Sequence, residues 1–193
     1  MSKDYLYVIR HGAAVDEKTK MGGWEDLPLV AEGKEEAEKA AGKLPDDIEL
    51  IITSDLERAL ETAEIIAKAK HIPLVKDPDL RSWNMGRYTG KDPKKIEPVL
   101  EKFAADYPED RTPGGESFNE YKDRFLKGIL KIKRKYAGHK IAILTHSHGT
   151  RILRAWEAAG QPGDFRLDMK EYHERPLEPG GVEKTDVSID AKK

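Results

Sequence analysis

Short runs of apolar, β-favouring residues alternate along this chain with longer stretches in which apolar positions recur every three or four residues. The first run, Tyr5-Leu6-Tyr7-Val8-Ile9, predicts a buried strand that stops at Arg10-His11-Gly12. After a loop with Gly22, Gly23 and Pro28, the spacing of Ala37, Ala40, Ala41 and Leu44 predicts a helix over about Glu32–Leu44. Leu50–Thr53 is a second short strand. Ser54, with Glu57 three residues on, has the form of a capping box opening a helix to about Lys70. Ile72-Pro73-Leu74-Val75 is a weaker strand whose proline suits a sheet edge. Between residues 77 and 115 prolines and glycines break the pattern. Only a short helix near Lys94–Phe103 is expected there, and the stretch reads as a small irregular cap over a site.

Phe118, Tyr121, Phe125, Ile129 and Ile132 then predict a long helix from Ser117 to Tyr136, closed by Gly138. Ile141–Thr145 is the strongest strand; it ends at His146-Ser147-His148-Gly149 and precedes a helix over about Thr150–Ala159. The last thirty residues are polar, with an edge strand expected at Val187–Ile189. This alternation predicts an α/β fold, a three-layer α/β/α arrangement around a mainly parallel sheet. One domain is expected over residues 1–193, with residues 77–115 as its cap.

Composition narrows the function classes. Thirty-four basic residues against 36 acidic ones give a net charge of −2, which argues against bulk binding of nucleic acid or an anionic membrane. The absence of cysteine removes disulfides, thiolate metal sites and cysteine nucleophiles. No apolar run approaches the roughly 20 residues of a membrane span. Met1-Ser2-Lys3-Asp4 opens no secretory apolar core. A soluble, cytoplasmic protein is the expectation, with a homodimer left open. The run Lys131-Lys133-Arg134-Lys135 reads as the solvated end of the long helix.

Two histidines, His11 and His146, follow two of the best strands, where ligand sites gather in open α/β sheets. Arg10 precedes the first, and Arg58 falls in the first turn of the helix after Ser54. Taken alone, each has an ordinary reading: a structural strand-end histidine, a solvated helix-surface arginine. Together, two arginines, two histidines and helix N-termini make an anion site, with guanidinium forks matched to phosphate. A neutral imidazole beside that charge is a competent nucleophile toward phosphorus. The rival reading, a metal held by His11, His146 and His148, is opposed by the arginine pair and by the lack of carboxylate spacing.

Further motifs follow in order: Gly23-Trp24-Glu25-Asp26-Leu27-Pro28-Leu29 with Glu32-Gly33, then Ser54-Asp55-Leu56-Glu57-Arg58-Ala59-Leu60-Glu61-Thr62-Ala63. Pro113-Gly114-Gly115-Glu116-Ser117 opens the long helix, and Thr145-His146 is followed by Arg151. With Arg10-His11-Gly12, this series resembles the histidine phosphatase superfamily, the phosphoglycerate-mutase-like fold, from Tyr5 to about Ala159. The resemblance implies that His11 attacks a phosphoryl group and becomes a phosphohistidine, while Arg10, Arg58 and His146 hold the phosphate oxygens. Gly23 and Ser147 lie where the family lines its phosphate pocket. It implies no metal, no other cofactor, and a phosphorylated small molecule as the partner.

Two departures bear on chemistry. The family's acid Glu, in a Leu-x-Glu-x-x-x-Gly segment, is replaced by Ser82 in Leu80-Arg81-Ser82-Trp83-Asn84-Met85-Gly86. Serine holds its proton too tightly to replace it. Asp79, Glu17 and His148 are the candidate substitutes. The family's mutases carry Ser and Asn where this chain has Ala14 and Glu17, so a phosphatase is expected over a mutase. A non-catalytic phosphate-binding protein is the rival from another class. Trp83, Tyr88, Phe103 and Tyr107 either wall an apolar pocket or form the core of the cap.

Overall fold

The computed structural model describes residues 5–161, 165–173 and 177–187. Among them five strands form one sheet: β1 (Tyr5–Arg10), β2 (Leu50–Thr53), β3 (Leu74–Lys76), β4 (Ile141–Thr145) and β5 (Val182–Asp186), in the order β3-β2-β4-β1-β5. All neighbouring pairs are parallel except β1 with β5. The helices are α1 (Ala31–Lys43), α2 (Glu57–Lys70), α3 (Pro93–Ala105), α4 (Phe118–Lys135), α5 (Ser147–Ala158) and the short α6 (Met169–His173).

Alternation along the strands sorts the core into two layers. Leu6, Val8, Ile52 and Ile143 face α4 and α5, packing with Trp83, Phe125 and Trp156. Ile9, Ile51, Ala142 and Leu144 face the other way, onto alanines of α1 and α2 and Ile66. The fold is therefore the expected α/β/α sandwich. α1 covers one face and α5 the opposite one, so the chain leaves the neighbouring strands β1 and β4 in opposite directions. That divergence opens a crevice at their carboxyl ends.

Several local expectations change. Helix α2 has Leu56 as its N-cap with no side-chain cap bond, so Ser54 and Glu57 form no capping box. Its first turn is instead pinned by Asp26, whose carboxylate accepts from the Glu57 amide at 3.1 Å. The capping box in fact sits at α4, where Ser117 and Glu120 exchange both bonds. Helix α5 begins at Ser147, three residues early, with His146 as N-cap. The edge strand is Val182–Asp186; Val187 follows it, and Ile189 lies outside the described residues. The basic run at the end of α4 is only partly solvated, since Lys133 is buried and Lys131 bonds Asp77 and Asp79.

Candidate active site

Register builds the site. In the parallel β1–β4 ladder Arg10 lies opposite Thr145, and the His11 amide donates to the Thr145 carbonyl at 3.1 Å. The next residue on each strand, His11 and His146, therefore leave the sheet side by side, ring centroids 5.0 Å apart. The turn carrying His11 is pressed onto α1: a Cβ on Gly12 would sit 2.2 Å from the Gly33 carbonyl oxygen. Only glycines at both positions permit this approach. The Gly12 amide donates to Thr62 Oγ1 and the Ala13 amide to the Glu36 carboxylate, which fixes the turn between α1 and α2.

His11 is buried, with Nδ1 2.8 Å from the Gly12 carbonyl and Nε2 3.3 Å from Arg58 Nε. A carbonyl can only accept and a guanidinium only donate, so the proton sits on Nδ1 and the lone pair on Nε2. Burial first, then the charge of Arg58, pull the His11 pKa from 6.5 to about 3, against the opposing pull of Glu17. The ring is neutral near pH 7. Arg58 also donates from Nη2 to the Gly23 carbonyl (2.8 Å) and from Nη1 to the Glu25 carbonyl (2.9 Å). Burial lowers its pKa to about 10, which leaves it charged.

Arg10 donates to the Leu177 carbonyl and to Glu17 (2.9 Å), while its buried Nε has no partner among the described residues. His146 places Nε2 2.9 Å from Ser54 Oγ; its Nδ1 is likewise buried and unpartnered. Burial and then Arg58 hold the His146 pKa well below its usual value. Two orphaned polar atoms in one cationic crevice suit an oxyanion, since buried polar groups ordinarily find partners.

The crevice opens into a cavity of about 940 Å³, lined by Arg10, His11, Gly23, Arg58, His146 and Ser147 among others. All six residues expected at the site are thus brought together. That volume lies at the upper end for small-molecule sites and leaves room beyond a phosphate. Met21, Trp83, Met85, Leu100 and Ala104 supply apolar wall, the last two from α3. Of the four aromatics considered, Trp83 lines the cavity and Tyr88 packs on Phe103. Tyr107 is 58% exposed and belongs to neither the wall nor the core.

The acid candidates separate. Asp79 is excluded by position: its carboxylate pairs with Lys131 of α4 and does not line the cavity. Glu17 lines the cavity, yet its pKa is lowered: burial works upward but is outweighed by His11, Arg10 and the Ala14 amide. It is an ionised acceptor. His148 bonds the Tyr172 hydroxyl through Nδ1, and burial followed by Arg151 lowers its pKa to about 3. Ser82 is held at the wall by its own carbonyl, which accepts from the Trp24 indole (2.7 Å) and from Arg124 (3.1 Å).

Sequence reasoning did not assign Ser54, Arg151 or Tyr172 to the site. Ser54 carried a signal, its place directly after β2, as His11 follows β1. Arg151 was visible only as part of a motif. Tyr172 falls in a segment without periodicity. Among the described residues, no group of three His, Asp or Glu is arranged to hold a metal ion.

A family model described as the histidine phosphatase superfamily (branch 1) matches residues 6–174. The uncharacterized phosphatase PhoE of Bacillus subtilis is 30% identical over 80% of this chain and 78% of its own. Phosphoglycerate mutase-like protein 4 of Arabidopsis thaliana is 32% identical over 77% and 68%. The solved structure of Bacillus stearothermophilus YhfR superposes with a TM-score of 0.80 at 28% identity, covering 95% of this chain and 91% of that one.

Proposed function

Because this chain belongs to the histidine phosphatase superfamily, we propose that it hydrolyses a phosphomonoester through a phosphohistidine on His11. The observation that carries the reading is the neutral His11 ring, its lone pair fixed on Nε2 beside Arg58. In the first step that lone pair attacks phosphorus and the bond from phosphorus to the ester oxygen breaks. In the second, water attacks phosphorus, the P–N bond breaks, and inorganic phosphate leaves with Nε2 restored. Arg10, Arg58 and His146 meet the negative charge of the transferring group, in place of a metal ion. Gly23 holds Arg58 through its carbonyl, and Ser147 borders the phosphate from the start of α5.

The leaving oxygen receives no proton from a resident carboxylic acid, since Glu17 is ionised and Ser82 is an alcohol. The reading therefore includes a preference for esters whose leaving group departs without one, such as aryl phosphates against the Trp83 and Met85 wall. Glu17, a carboxylate paired with Arg10, also favours hydrolysis over mutase chemistry, because it opposes a second phosphate in the cavity. Residues 77–115 serve as the cap of one domain, and a soluble, cytoplasmic setting fits the reading. The test is phosphate release from p-nitrophenyl phosphate, with acid-labile phosphate trapped on the wild type. His11→Ala should fold and lose both; full turnover in that variant would overturn the proposal.

A further inference from the structure

We infer that Ser54 is a positioning residue that fixes the tautomer of His146, so that the ring presents Nδ1–H as a donor to the phosphoryl group. The inference rests on the reading of the crevice as a phosphoryl-transfer site.

Ser54 is fully buried at the end of β2, its amide bonded to the Leu144 carbonyl. Its hydroxyl oxygen accepts from the Leu56 amide at 3.3 Å and lies 2.9 Å from His146 Nε2. A hydroxyl has one proton. Among the described residues nothing but the His146 ring is placed to receive it. Donated to Nε2, that proton obliges the neutral ring to carry its own on Nδ1. The opposite arrangement, with Nε2–H donating to Ser54, strands the hydroxyl proton in the interior and turns a bare Nδ1 lone pair toward an incoming anion. The first arrangement leaves one unmatched group, Nδ1–H, and a phosphoryl oxygen completes it. Burial and the nearby arginines keep the ring neutral, so the tautomer decides whether Nδ1 attracts or repels the substrate. At the start of helix α2 Ser54 only accepts, from the amide of the N-cap Leu56, which leaves its hydroxyl proton free for the ring.

The test is 15N-edited spectroscopy of the imidazoles in the ligand-free protein, with His146 identified by its loss in His146→Gln. The wild type should show the proton on Nδ1. Ser54→Ala should shift the ring toward the other tautomer and weaken vanadate binding about tenfold, the worth of one charge-assisted hydrogen bond. A wild-type ring protonated on Nε2 overturns the inference even if Ser54→Ala fails to fold, and so does unchanged vanadate affinity in a folded variant. A wild type that binds no vanadate defeats the phosphoryl-transfer reading instead, while the spectra still report the tautomer.

Discussion

Lowering the pH from 7.5 to 5 in phosphate-free buffer should cost this protein stability through the histidines it buries as neutral rings. His11 and His148 have folded pKa values of about 3, against about 6.5 in the unfolded chain. A depressed folded pKa means that the unfolded state takes up protons the folded state refuses. The stability is therefore whole above pH 6.5 and is lost as pH falls toward 3. At pH 5 each ring costs about 2 kcal/mol, roughly 4 kcal/mol for the pair, with His146 acting in the same direction. That is a large share of the ~5–15 kcal/mol that holds a domain together. Arg58 and Arg10 face His11, while Arg151, Arg10 and His173 face His148, and all of these oppose protonation; Glu17 and the Gly12 carbonyl, both beside His11, favour it. The window from pH 6.5 to 5 lies above the usual carboxylate range; Glu157, whose pKa burial raises, works in the opposite direction and is common to the wild type and to His148→Gln. Urea unfolding at each pH is the assay, repeated on His148→Gln, whose slope should be smaller by about 1.4 kcal/mol per pH unit. Saturating phosphate should reduce the wild-type slope by favouring the charged rings. A wild-type stability flat across this window, or a slope unchanged in His148→Gln, would refute the reasoning.

Arg58→Ala should raise the inhibition constant of inorganic phosphate by about 10- to 100-fold, the loss of one charge-assisted pair. Arg10→Ala should do at least as much, and unchanged constants in both would place the anion elsewhere. Aryl phosphates should be cleaved far faster than alkyl phosphates, and Ser82→Glu should narrow that gap by up to roughly 10²–10⁴-fold; equal wild-type rates on both classes would mean another group supplies the proton. Gly86→Ala should destabilise by about 1–3 kcal/mol, because φ is +54° there and a Cβ would meet the Pro113 carbonyl oxygen at 2.3 Å; an unchanged thermal midpoint would count against it.

The sheet and most of its helices were legible because their apolar spacing is regular, and His11 and His146 were legible because they end the two clearest strands. Arg58 emerged from its motif, but its bond to Nε2 depends on how α2 docks against β1, which no local pattern encodes. Ser54 misled for a physical reason: a serine three residues before a glutamate suits an N-cap, and only the packing of α2 shows that Leu56 takes that place. Asp79 looked suitable on its loop, yet it turns outward to Lys131, a contact 52 residues distant in sequence. Residues beyond 160 carry little periodicity, so Tyr172 was out of reach and the edge strand was expected at Val187–Ile189, a few residues beyond β5.

Strand β5 bears on when the surroundings of His11 come into being. Tyr7 pairs with Ala142 on one side and with Lys184 on the other, while the Gly180 amide donates to the carbonyls of Arg10 and His11. The segment that carries His11 thus precedes in chain order both strands that flank it, and is among the last to acquire its neighbours. During synthesis α1, β2 and α2 have all emerged while β1 still waits for the strands that flank it. Contacts this distant close slowly, so the refolding protein should regain helical signal well before it regains any turnover. The crevice is the closing seam of the fold, and a nascent chain does not hold His11 and His146 side by side until that seam is shut.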